Sequence, residues 1–220
     1  MIKKGLNYIS TYVLLYMKSN QLFLAALKIG THALGPGYRA VIWVQGCPFL
    51  CKGCISPEWI EPGGVETSIE EIARQILADS SIDGLTISGG EPMMQARPLY
   101  NLIKILKKAK RDLNVICFTG YRYQDLMNKE PSPMVRKFLN EIDILIDGPY
   151  VAAKNDNMGL RGSSNQKVHY LSEALKEHDF DHNPRKIEID LLEGEAFIIG
   201  IPPRHFTPAW DQAMVSILRR

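Results

Sequence analysis

No stretch of this sequence approaches the ~20 consecutive apolar residues needed to span a bilayer. The nearest, Tyr8–Met17, follows Lys3 and Lys4 but is too short, and no clean small-residue cleavage site succeeds it. Neither a membrane span nor a secretory leader is expected, and Met17 is an alternative point of initiation. Blocks of like charge are also missing. The 26 Lys and Arg residues against 24 Asp and Glu leave a net charge of only +2, so a basic footprint for nucleic acid is excluded. Internal repeats and low-complexity tracts are absent. Cysteine is scarce, four in 220 residues, which removes a disulfide-stapled fold.

What is present suits one domain with a sizeable core and neither disorder nor a fibrous protein, at 45% hydrophobic and 23% charged residues. From residue 38 onward, short apolar runs alternate with helical segments. Ala40–Val44 reads as a strand leading into the cysteines, and Gly84–Ser88, Val115–Phe118 and Ile142–Ile146 read as three more. Thr67 or Ser68 caps a helix over Ile69–Ala78, with Glu70 and Glu71 at its positive end. Pro98 opens a second helix to about Lys110, with Leu99, Leu102, Ile103 and Leu106 at three- and four-residue spacing. Repeated strand–helix–strand units of this length predict an α/β fold built on parallel strands with flanking helices, as an open sheet or a partial, open β/α barrel. In such sheets, chemistry collects where strands end. Four loop signals fall on that edge: the cysteines, Gly89–Pro92, Thr119–Tyr121 and Asp147–Tyr150.

The segment Cys47-Pro48-Phe49-Leu50-Cys51-Lys52-Gly53-Cys54 spaces three thiolates so that a tight loop can wrap one centre. Soft anionic ligands suit an iron–sulfur cluster or zinc. Zinc ligands usually come two and two, yet no histidine is near: His32 precedes the loop and the others lie beyond residue 168. Cys117 sits within an apolar strand and reads as a buried thiol. A cluster held by only three cysteines leaves one iron open to a substrate. Such a thiol set belongs in a reducing cytoplasm.

Ser88-Gly89-Gly90-Glu91-Pro92 follows a strand, and its glycines either make a turn or let a ligand approach the backbone closely. Combined with the cysteine spacing, it resembles the radical S-adenosylmethionine superfamily. Gly35-Pro36-Gly37-Tyr38-Arg39, Thr119-Gly120-Tyr121 and the run Ile144–Tyr150 continuing to Leu160-Arg161-Gly162-Ser163-Ser164-Asn165-Gln166 narrow the resemblance to the activating proteins of anaerobic ribonucleotide reductase. The match runs in order over roughly residues 27–171 and includes Gly53 before the third cysteine.

The resemblance implies a 4Fe-4S cluster on Cys47, Cys51 and Cys54 whose open iron chelates S-adenosyl-L-methionine. It also implies a cofactor site from Ser88, Gly89, Gly90, Glu91, Pro92 and Thr119, with Asp147 and Arg161 as catalytic residues. Reductive cleavage then gives a deoxyadenosyl radical, which takes a hydrogen from a glycine of a large partner enzyme. An electron donor such as flavodoxin or ferredoxin is implied as well. Read as residues alone, Asp147 either reaches the mouth of the site or caps the Gly148–Pro149 turn. Arg161 suits a carboxylate, of cofactor or partner, or a surface ion pair. Asn165 and Gln166 suit peptide hydrogen bonds or a loop scaffold.

Residues 172–220 have no counterpart in the resemblance, so the chain is divided into an N-terminal extension at 1–26, an activase-like domain at 27–171 and a C-terminal appendage. Within that appendage, Lys186–Leu192 and Ala196–Ile201 flank Glu193–Gly194 as a hairpin does. Pro202, Pro203, Phe206 and Trp210 form a recognition surface or cover a sheet edge.

Overall fold

In the computed structural model of this chain, which describes residues 20–192, 195–204, 206 and 210, the four apolar runs expected as strands lie side by side. The strands are β1 (Gln21–Thr31), β2 (Arg39–Val44), β3 (Val65–Ser68), β4 (Gly84–Gly89), β5 (Asn114–Phe118), β6 (Ile144–Asp147) and β7 (Lys167–Tyr170). They form one seven-stranded sheet in the order β3-β1-β2-β4-β5-β6-β7. The central β2, β4, β5 and β6 are parallel, as the alternation of elements requires, while β1, β3 and β7 add antiparallel flanks. The sheet does not close, and β3 and β7 are its edges.

The flanking strands were not legible in the sequence. Gln21–Thr31 is rich in Leu and Ala, which favour helix, and it becomes a strand by pairing on both sides with β2 and β3. Its register slips at Gly30, whose φ of +83° only glycine adopts freely and whose missing Cβ makes room for the Tyr38 ring. β1 also crosses the boundary expected at residue 26. Tyr8–Met17 and the Glu193–Gly194 turn lie outside the described residues.

Helices α1 (Ile69–Leu77), α2 (Ala96–Ala109), α3 (Tyr123–Asn128) and α4 (Val135–Leu139) connect the strands. Ser68 is the cap of α1, its hydroxyl accepting from the Glu71 amide at 3.2 Å. A 3-10 turn over Pro92–Gln95 leads into α2, which therefore starts two residues before Pro98. Pro98 sits in the first turn, where a missing N–H costs nothing. The break between α3 and α4 carries Pro131 and Pro133.

The apolar side chains of α1, α2 and α4 bury one face of the sheet: Ile72, Ile76, Leu99, Leu102, Ile103 and Phe138 pack on Ile42, Leu85, Ile87, Val115 and Leu145. The opposite face is covered differently. The antiparallel pair β8 (Ile187–Leu192) and β9 (Glu195–Gly200) sets Phe197 and Ile199 against Val41 and Trp43. Leu175 and Phe180 cover Ile116, Ile144 and Ile146. Lys28 pairs with Asp190, and Thr31 and the His32 amide donate to Glu188, so β8 is held by charge as well as by packing.

At the starting edge of the parallel strands, Arg39 is wholly buried. Its guanidinium donates to Thr86 Oγ1 at 2.7 Å, Asn114 Oδ1 at 2.6 Å and the carbonyls of Pro36 and Leu85. Desolvation pulls its pKa down to about 9, against the raising influence of Asp143 and Asp83. Gly35-Pro36-Gly37-Tyr38-Arg39 is therefore an architectural motif at the edge away from the cysteines. Gly84 pairs with Arg39, and a Cβ there would strike the guanidinium and stand 2.6 Å from Asn114 Oδ1. Gly84→Ala is expected to lower the stability of the chain by about 1–3 kcal/mol, since the anchored guanidinium has nowhere to retreat; urea unfolding followed by circular dichroism measures it.

Candidate active site

β2 ends at Val44, and the chain then leaves the sheet as a loop closed at its base. The Gly46 amide donates to the Trp59 carbonyl and the Cys47 amide to the Ile60 carbonyl, each at 2.9 Å. Within it, Cys51 to Cys54 form a tight turn, with the Cys54 amide on the Cys51 carbonyl at 3.1 Å and Gly53 at φ +78°. All three thiols are free and half-buried on this one loop. Burial, with the Glu91 carboxylate adding to it, pushes the Cys47 thiol up to about 12, and burial likewise raises Cys54. Metal coordination removes such protons outright. Among the described residues no group of three or more His, Cys, Asp and Glu gathers around a single ion position. A cluster distributes its cysteines over separate irons, and three free thiols on one loop supply the donor chemistry that it needs. Cys117 lies apart, fully buried in the helix-side core of β5, and its thiol is pushed up well above the ordinary range by burial.

The next loop meets this one backbone to backbone. Gly89 has φ +94°, and a Cβ on it would stand 2.5 Å from the Val44 nitrogen; a Cβ on Gly90 would collide with the Gly46 carbonyl. The Gly90 amide donates to Val44 at 2.6 Å and the Glu91 amide to Gly46 at 2.8 Å. The paired glycines are thus needed to seat this loop against the root of the cysteine loop, whatever else they contact. Ser88 pairs with Trp43 one step inside that junction.

Glu91 is completely buried. One carboxylate oxygen accepts from the Met93 amide at 2.9 Å and the Thr119 hydroxyl at 2.8 Å, and the other accepts from the Gly120 amide at 2.8 Å. Burial raises its pKa to about 7, the three donors working in the opposite direction. Pro92 begins the 3-10 turn that carries Met93. The Thr119–Tyr121 loop is in turn pressed on the cysteine loop: Phe49 occupies the space beside Gly120, and its ring meets that of Tyr121 edge-on at 4.8 Å. Cys47, Gly89–Pro92 and Thr119–Tyr121 are therefore one connected structure, as the shared sheet edge predicts.

Asp147 and Arg161 lie at the next strand end of this edge and on the loop that follows it, whose Gly148 amide donates to the Tyr121 carbonyl at 2.9 Å, and both side chains are paired within the chain. The Asp147 carboxylate, 5% exposed, accepts from the amides of Tyr123 at 2.6 Å and Lys167 at 3.3 Å, and lies 2.9 Å from His169 Nε2. It links the start of α3 to β7. Arg161 pairs with Asp156 at 3.0 Å and Asp181 at 3.3 Å, both within this chain. It lines a polar surface cavity of about 420 Å³ with Lys167, His169 and His182. Gln166 accepts from the Gly162 and Ser163 amides and donates to the Gly148 carbonyl, while Asn165 donates to Pro149 at 2.8 Å. These amide side chains scaffold the loop after β6.

Sequence reasoning missed Gln95, which is 1% exposed and holds Phe23 of β1 and Gln45 of the cysteine loop through both ends of its amide. A lone glutamine before a helix carries no signal until the strand it serves is known.

This arrangement of loops stands on a chain that is similar to known proteins over most of the sheet. The model of the family described as a 4Fe-4S single cluster domain matches residues 33–169. The anaerobic ribonucleoside-triphosphate reductase-activating protein of Enterobacteria phage T4 is 30% identical over 151 residues, covering 66% of this chain and 92% of that protein. Its counterpart in Haemophilus influenzae is 32% identical over 143 residues, 61% of this chain and 89% of that protein. A pyruvate formate-lyase-activating enzyme of Clostridium pasteurianum is 38% identical over 80 residues, 34% of each chain. The chain belongs to the 4Fe-4S single cluster domain family and, within it, to the radical S-adenosylmethionine enzymes of the activating type, which use an iron–sulfur cluster and S-adenosylmethionine. No helix among the described residues is long and apolar enough to cross a membrane.

The Glu91 joint has a pH signature. Its carboxyl binds a proton more tightly folded, at about 7, than at its ordinary 4.5. Its stabilising contribution is therefore full below pH 4.5 and declines as pH rises through 7, by about 3 kcal/mol in all. Glu91→Gln is expected to abolish that slope and, by setting an amide N–H against the Met93 or Gly120 N–H, to cost about 1–3 kcal/mol. Urea unfolding of the cluster-free protein from pH 4.5 to 8 measures both.

Proposed function

We propose that this protein is a glycyl-radical activase whose target is an anaerobic ribonucleotide reductase. Cys47, Cys51 and Cys54 would hold a 4Fe-4S cluster with one coordination position left for S-adenosyl-L-methionine. The observation that carries this reading is the joint between loops: three free thiols on a loop whose root is locked by Gly89 and Gly90 and whose tip carries Phe49 against Gly120. When bound, the cluster supplies the electron that cleaves S-adenosylmethionine to methionine and a deoxyadenosyl radical.

The chain's own groups divide the remaining work. Ser88, Gly89, Gly90, Glu91, Pro92 and Thr119 form the cofactor wall, with Glu91 fixing its shape from within and the loop backbone facing the ligand. Asp147 and Arg161 serve the catalytic mouth from its border, the first by tying the start of α3 to β7 through the Tyr123 and Lys167 amides, the second by holding the loop after β6 through Asp156 and Asp181. Phe49 and Tyr121, packed edge-on, brace the cysteine loop against the third loop. Residues 27–171 make up the activase-like domain, its sheet an open, partial β/α barrel, with an N-terminal extension at 1–26 that lends the sheet the first half of β1 and a C-terminal appendage from residue 172.

The target is supported by the phage T4 and Haemophilus influenzae relatives, both anaerobic ribonucleoside-triphosphate reductase-activating proteins. The substrate is then a glycine in a backbone loop of a large partner enzyme, the electron donor is a flavodoxin or ferredoxin, and the compartment is the cytoplasm. The shorter match to a pyruvate formate-lyase-activating enzyme favours a second reading, a radical enzyme of the same fold with another protein, peptide or small molecule as substrate.

Anaerobic reconstitution with iron and sulfide is expected to give cluster absorption and, on reduction with S-adenosylmethionine, deoxyadenosine. Cys51→Ala loses both and Cys117→Ala keeps both. Mixing the reduced protein with an anaerobic reductase is expected to produce a glycyl-radical doublet in electron spin resonance. A doublet absent there but present with another partner transfers the assignment to the second reading.

A further inference from the structure

The loop after β6 faces the cysteine loop on one side and the C-terminal part of the chain on the other. On its inner side, a Cβ at Gly53 would lie 3.4 Å from Ala152 Cβ and 3.8 Å from the Tyr150 ring. The Tyr150 ring also fills the space beside Gly162, and its hydroxyl accepts from Asn155 Nδ2 at 3.4 Å. On its outer side, the stretch Met158–Leu160 is laid along residues 180–184. The Gly159 amide donates to the Asn183 carbonyl at 3.0 Å and the Leu160 amide to the Phe180 carbonyl at 2.7 Å, and Met158 bridges Pro184. Gly159 has φ +64°, and a Cβ there would stand 2.5 Å from the Asp181 carbonyl oxygen, so the fit tolerates only glycine.

Arg185 enters the middle of this loop. Its guanidinium donates to Asn155 Oδ1 at 2.9 Å, to the Arg161 carbonyl at 2.5 Å, to Gly162 at 3.3 Å, and to Met158 and Gly159 at 3.4 Å. A fifth carbonyl, Pro202, lies at 3.5 Å. An irregular loop turns its carbonyls in directions that no strand or helix satisfies. A planar fork of five N–H groups answers several of them at once, which a lysine ammonium cannot do. Arg185 is part-buried, and desolvation lowers its pKa against the raising influence of Asp156. The family match ends at residue 169, so Arg185 lies outside the part of the chain that it covers.

We propose that Arg185 is a positioning residue for the cofactor site, holding the loop Tyr150–Gly162 beside Gly53 from outside. It acts through Asn155 and Gly162 on Tyr150, and through Tyr150 on the turn that carries the third cysteine. The consequence for S-adenosylmethionine rests on the activase reading; the clamp on the loop does not.

Two variants and two readouts test it. In Arg185→Met, amides 157–163 are expected to exchange hydrogen at least about tenfold faster, with β4 and β5 amides unchanged and Arg185→Lys intermediate. In reconstituted protein, the S-adenosylmethionine concentration that half-converts the spin-resonance signal of the reduced cluster is expected to rise about fivefold in Arg185→Met, equivalent to about 1 kcal/mol, with partial rescue by Arg185→Lys. The signal without S-adenosylmethionine stays as in the parent protein. Loop exchange at the parent rate, acceleration spread evenly over the sheet, or faster loop exchange with an unchanged half-converting concentration each overturns the proposal. Failure of the activase reading shows separately, as no cluster and no S-adenosylmethionine response in the parent protein, and exchange in the cluster-free protein then decides the clamp.

Discussion

The carboxylate of Glu91 is the point on which the site depends. It is removed from water and compensated by three donors from two loops, Met93 on its own and Thr119 and Gly120 on the next. A buried carboxyl group with its partners in place is rigid, because displacing any one leaves a buried polar group unpaired. The Glu91 amide reaches back to Gly46 at the root of the cysteine loop, so the same residue ties all three loops. Their positions relative to the sheet follow from that joint and from the strands that deliver them.

The opposite edge is organised by a buried cation. Arg39 gathers Pro36, Leu85, Thr86 and Asn114 where the parallel strands begin, as Glu91 gathers the loops where they end. The division suits an open sheet. One end is occupied by structure and is free of chemistry, while the other presents thiols, glycines and loop amides. The cover over the non-helical face completes the arrangement, because strands buried on both faces need apolar partners on both. Leu175, Phe180, Phe197 and Ile199 provide them from beyond residues 33–169, which the family model matches.

Much of this was legible. Central strands announced themselves as β-branched runs ending in loop signals, and α1 and α2 by their spacing and caps. The loops that carry Cys47, Cys51, Cys54 and Gly89–Pro92 could be placed at the ends of β2 and β4, because a strand that stops in a run of thiols or glycines marks its own end. The flanking strands were not, since Leu- and Ala-rich β1 is made a strand by its neighbours and short β7 by pairing with β6. Asp147 and Arg161 were visible as charged residues in the right loops, but their partners Tyr123, His169 and Asp181 lie between 20 and 24 positions away and could not be read.

The sequence by itself determined the cofactor chemistry, the parallel centre of the sheet and the edge at which the chemistry sits, because each depends on residue type and short spacing. Only the tertiary structure decided what each polar residue does there. Glu91 is a buried joint, Gly89 and Gly90 are points of backbone contact, and Arg185 reaches into a loop more than twenty residues before it. The reason is physical: a thiol or a glycine carries its chemistry with it, whereas the role of a charged side chain is set by whichever groups folding brings within about 3 Å of it.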